Sequence, residues 1–86
     1  MPRIQTEELL DRIANGQFQT VMLKGIQRGT FCMLLECADG IFIHENSDGT
    51  MKEYPKLEFA LAWLKRKTAV TTVIVDVELW RDGKTK

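Results

Sequence analysis

Histidine occurs once in this chain, cysteine twice and proline twice, and the charges cancel to a formal net of zero. Each shortage excludes something. Cys32 and Cys37, with His44 as the only other soft ligand, are too few for a four-ligand zinc site. The two cysteines lie five residues apart on one predicted strand, so they point to opposite faces and cannot bond without breaking it. They read as reduced, structural thiols, and neither a metal nor a cofactor is expected. Zero net charge means no global field to gather nucleic acid or an anionic membrane. No run approaches the roughly 20 apolar residues of a membrane span. Glu7, Glu8 and Asp11 stand where a secretory leader would be basic and then apolar, so cytoplasm is the expected location. The six glycines are scattered singly and form no phosphate-binding loop, and no loop has calcium-ligand spacing.

The chain has 86 residues, 44% hydrophobic and 28% charged, which suits one small folded domain spanning 1–86. Residues 82–86 read as a frayed polar tail. Its organising stretch is Phe31 to Asn46, two apolar runs flanking Asp39-Gly40, a strong signal for a two-residue hairpin of type I′. With that pair at the tip, Cys37 faces Phe42, Leu35 faces His44 and Met33 faces Asn46 on one side. Ala38 with Ile41, Glu36 with Ile43 and Leu34 with Glu45 fall on the other.

Ahead of the hairpin, Ile4 to Asn15 has the pattern of a helix, with Thr6 as N-cap and Leu9, Leu10 and Ile13 as the apolar stripe. Asn15-Gly16 stops it. Phe18 to Gln27 reads as a strand, with Gly25 marking a bulge. Behind the hairpin, Ser47-Asp48-Gly49 turns the chain into a short strand over Thr50 to Tyr54. Pro55 opens a second helix that runs to Lys67, with Leu57, Ala60, Leu61 and Leu64 as its stripe and Phe59 and Trp63 beside it. Val70 to Trp80 alternates as a strand with one core face and one wet face. The order is α-β-β-β-β-α-β, a two-layer α+β domain with an antiparallel sheet of four to five strands.

Candidate chemistry is thin. A Cys37–His44 dyad lacks a third orienting group and an oxyanion hole, so no catalytic residue is assigned and the chain is read as a non-enzyme. From Phe31 to Thr50 there are four acids, Glu36, Asp39, Glu45 and Asp48, and no Lys or Arg. Lys65, Arg66 and Lys67 complement the C-terminal end of the second helix dipole, and are also the candidates for contact with phosphate or an acidic partner. The hairpin is apolar on both faces, whereas antiparallel sheets usually leave one face polar. Two helices in so short a chain are not expected to cover both, so a second copy or a partner is expected on Phe31, Met33, Leu35, Phe42 and His44.

Residues Gly25 to Thr68 carry a resemblance, above all Asp48-Gly49-Thr50 through Lys52-Glu53-Tyr54-Pro55 into Trp63-Leu64-Lys65-Arg66-Lys67. This run resembles short proteins of unassigned function carried on bacterial plasmids and integrative elements, which implies a mobile-element setting and assigns no functional residue. Four strands followed by a helix is also similar in order to PC4-like and Whirly-type single-stranded DNA-binding domains, a likeness of topology only. The first functional reading is a non-enzymatic accessory or regulatory protein that binds other proteins, as a homodimer. The second is a single-stranded nucleic-acid binder, stacking bases on Phe31 and Phe42 and holding phosphates with Lys65, Arg66 and Lys67. It is the less favoured because a strand-tracking groove is basic and this hairpin is acidic. The third is a small inhibitor or nucleic-acid mimic that presents the acidic hairpin.

Overall fold

The computed structural model describes residues 1–80. The polar tail read over residues 82–86 lies outside them. The elements are β1 (Arg3–Gln5), α1 (Thr6–Ala14), β2 (Thr20–Gly25), β3 (Phe31–Cys37), β4 (Gly40–Glu45), β5 (Glu53–Tyr54), α2 (Leu57–Lys67) and β6 (Ile74–Asp76). The class is α+β, and the six strands form one sheet ordered β1-β4-β3-β2-β6, with β5 pairing on β3. The sheet is mixed rather than antiparallel. β1 runs parallel to β4 and β6 parallel to β2, so among the described residues β3 alone runs against the rest.

That direction count explains where the helices go. Each helix joins two co-directional strands, β1 to β2 through α1 and β5 to β6 through α2. Both crossovers run the same way across the sheet. With one handedness for both, they must land on the same face. They do: Leu9 and Ile13 of α1 and Ala60 and Leu64 of α2 share one core with Ile4, Val21, Leu23, Phe31, Met33, Leu35, Cys37 and Tyr54.

The hairpin forms, but not in the expected register. Cys37 lies opposite Gly40 and Leu35 opposite Phe42, a shift of two residues that leaves Ala38-Asp39 at the tip. A type I′ turn is excluded because neither Ala38 nor Asp39 has positive φ, and Gly40 (φ 142°) instead closes the turn as its fourth residue. Arg12 of α1 holds the tip through Nη1 to Asp39 Oδ1 at 3.0 Å. A shift of two preserves the side-chain alternation, so every residue stays on its expected face.

Several boundaries are corrected. Ile4 is not helical; it is a strand residue paired with His44 and 1% exposed. Gln5, not Thr6, takes the N-cap position; its side chain makes no cap bond and donates to Glu45 instead, while the Thr6 hydroxyl is engaged with His44. The stop at Asn15-Gly16 holds, with Gly16 N–H bonded to Ile13 O and Gln17 N–H to Arg12 O. Pro55 lies outside α2, which starts two residues later behind Lys56. The long strand expected over Val70 to Trp80 pairs only at Ile74–Asp76, and none of those three residues is buried.

Gly25 is no bulge, since it pairs regularly with Phe31. It is small because Trp80 crosses it: a Cβ there would collide with Trp80 Cβ. The Trp80 ring stacks on Phe31 at 6.0 Å and its Nε1 donates to Gly29 O at 3.1 Å. Gly25→Ala is expected to eject that ring and shift tryptophan emission to longer wavelength while the rest of the fold persists. Unchanged emission would show that Trp80 does not seat there.

Candidate functional site

The five residues expected at a partner surface are placed under the chain's own helices. Met33 and Leu35 are 0% exposed, His44 1% and Phe31 4%. Phe42 is half-buried, with the Arg12 guanidinium 4.7 Å over its ring. The expectation of an exposed apolar face built from Phe31, Met33, Leu35, Phe42 and His44 is therefore corrected: that face is the core. Phe31 has no ring face to offer a base either.

His44 is the only fully buried polar side chain among the described residues. Its Nε2 lies 2.8 Å from Thr6 Oγ1, its Nδ1 has no partner, and the Trp63 ring is 5.4 Å away. Burial, then the nearby Lys52 charge, pushes its pKa down to about 4. Tyr54 packs on the same Trp63 ring at 6.4 Å, its hydroxyl also buried without a partner and its pKa pushed up to about 12 by burial. Cys37 is not brought to His44. Its cross-strand partner Gly40 is four residues along β4 from the histidine, roughly 13 Å at ~3.3 Å per residue.

The acids of the hairpin are engaged within the chain. Asp39 is bonded to Arg12, which holds its carboxyl below the usual range. Glu36 accepts from Thr20, Glu45 from Gln5, and Asp48 from both the amide and the hydroxyl of Thr50. Lys65, Arg66 and Lys67 are exposed in the last turn of α2, where they complement its carbonyl end.

The helix-free face solves its own problem. Along the strand register Ile74, Met22, Leu34 and Ile43 make one apolar row, so Leu34 is flanked on both sides by apolar neighbours. Polar pairs flank that row: Lys24 with Asp76, Arg28 with Glu53, Thr20 with Glu36 and Gln5 with Glu45. Cys32 sits between Lys24 and Glu53, long side chains that cover a short one and leave it 3% exposed. Burial raises its thiol pKa.

Uncovered apolar surface collects elsewhere, where α2 faces β6. One groove of about 360 Å³ is lined by Phe31, Leu57, Val75, Val77 and Trp80 among others. A second, of about 250 Å³, has Leu61, Leu64, Val70 and Val73 in its wall. Val77 is 56% exposed, Leu61 39% and Val75 37%. The alternation of this segment was visible in the sequence, and its exposure was not, because helix cover stops short of the β6 edge. Compared with known proteins, the chain matches no family model, no curated protein and no solved structure.

Proposed function

We propose that this chain is a non-enzymatic accessory or regulatory protein that works by protein–protein contact, as a homodimer. The observation that supports this most is the uncovered apolar side made by β6 and the flank of α2, where Leu61, Val75 and Val77 are exposed on the same side. Scattered exposed apolar residues are ordinary on any protein; a cluster bordering a groove is the pattern of a contact surface. The non-enzymatic part draws support from the separation of Cys37 and His44 on the sheet. Sedimentation equilibrium at micromolar concentration is expected to give twice the 9.9 kDa chain mass. A single 9.9 kDa species without concentration dependence would overturn the dimer.

A further inference from the structure

We infer that two copies of this chain pair edge to edge through β6, antiparallel about a two-fold axis at Val75. The inference rests on the homodimer reading and specifies its geometry.

The two sheet edges are built differently. β1 follows Pro2 and carries Arg3 and Gln5, both engaged: Arg3 Nη1 donates to Gly49 O at 2.6 Å and Gln5 Nε2 to Glu45 at 3.1 Å. Proline and long polar side chains are how sheets keep an edge from recruiting another strand. β6 has none of this. From Val70 to Leu79 there is no Pro, Lys or Arg, and seven of the eight residues from Val70 to Val77 are β-branched. Among the described residues no strand pairs with its outer side. An edge of this composition is a template for one more strand.

A second copy fits that template by its own pattern. Centring the axis on Val75 sets Val75 against Val75 and Val73 against Val77 on the groove face, joining apolar to apolar across the seam. The opposite face then places Ile74 beside Asp76, whose carboxylate lies 3.9 Å from Lys24 Nζ within its own chain. Centring on Asp76 would oppose two carboxylates, and centring on Val77 would oppose Asp76 to Glu78; like charges directly opposite disfavour pairing. The formal net charge of zero leaves no long-range repulsion between copies.

The test uses charge reversal at the axis in the 86-residue chain. Val75→Lys and Val75→Asp, each alone, are expected to lose the dimer, because each sets like charges against each other. Mixed one to one they are expected to regain it as a heterodimer. Wild-type amides of Ile74 to Val77 are expected to exchange more slowly as protein concentration rises, a readout that needs no variant to fold. If both variants dimerise like wild type, or those amides show no concentration dependence while the dimer persists, the β6 pairing is overturned and the homodimer stands on another surface. If both variants are monomeric but do not associate when mixed, the Val75 axis is overturned. If wild type is monomeric throughout, the homodimer reading falls and the pairing with it.

Discussion

Leu35→Ala is expected to lower the unfolding free energy by about 2–5 kcal/mol, the cost of deleting a buried leucine and leaving a cavity that its neighbours fill only in part. Leu35 is 0% exposed, between Val21 on β2 and Phe42 on β4, in the core beneath the helices. A chain of 86 residues has a total stability of roughly 4–13 kcal/mol. The loss is thus a large fraction of the whole, and the denaturation midpoint should fall at unchanged slope. Leu35→Lys should go further and unfold the chain, since burying an unpaired ammonium costs several kcal/mol more. A Leu35→Lys variant that folds with the wild-type midpoint would return this face to the surface.

The Leu35 case shows how far the sequence reaches. Alternation over Phe31 to Cys37 and Gly40 to Glu45 made the strands and their two faces legible, and the faces survive even a register error of two. What alternation could not say is which face the helices take. That depends on strand direction, and direction was set by two three-residue edge strands whose parallel pairing leaves no local signature. Ile4 in particular reads as the start of a helix, because Thr6-Glu7-Glu8-Leu9-Leu10 follows after one residue. The parallel contact with His44, forty residues on, makes it a strand instead.

The same limit applies to the surface. The apolar pattern of Val73, Val75 and Val77 is visible in the sequence, and it reads naturally as a buried strand. The exposure of Val75 and Val77 follows from β6 being the last strand of the sheet among the described residues, with α2 touching β3 and β5 and leaving the edge open. The polar pairs that make the helix-free face tolerable are likewise non-local. Lys24 with Asp76 and Arg28 with Glu53 join residues that nothing in their own neighbourhoods connects.

Stability is expected to fall by about 3 kcal/mol as pH drops from 6.5 toward 4, and His44 is the cause. Its ordinary pKa of 6.5 applies to the unfolded chain, and burial with the nearby Lys52 charge depresses the folded value to about 4. Between those values the unfolded chain binds a proton that the folded chain refuses, so protonation favours unfolding. The histidine's contribution is complete above pH 6.5 and disappears as pH falls through the window, each pKa unit being worth about 1.4 kcal/mol. Geometry gives the same sign. A charged ring would carry an N–H at Nδ1, which is buried and has no acceptor, while Nε2 is occupied with Thr6. The charge that acts on the ring, Lys52, is a cation and so disfavours an imidazolium further. Asp39 and Asp48 have lowered pKa values, so what they contribute is lost only on further acidification, below their ordinary 3.8. The window from 6.5 to 4 therefore belongs to the histidine. His44→Leu should flatten the midpoint across it, at the cost of the Thr6 bond, whose freed hydroxyl can be hydrated because Thr6 is exposed. A wild-type midpoint that does not move between pH 6.5 and 4, or a His44→Leu variant with the same slope as wild type, would remove His44 as the source.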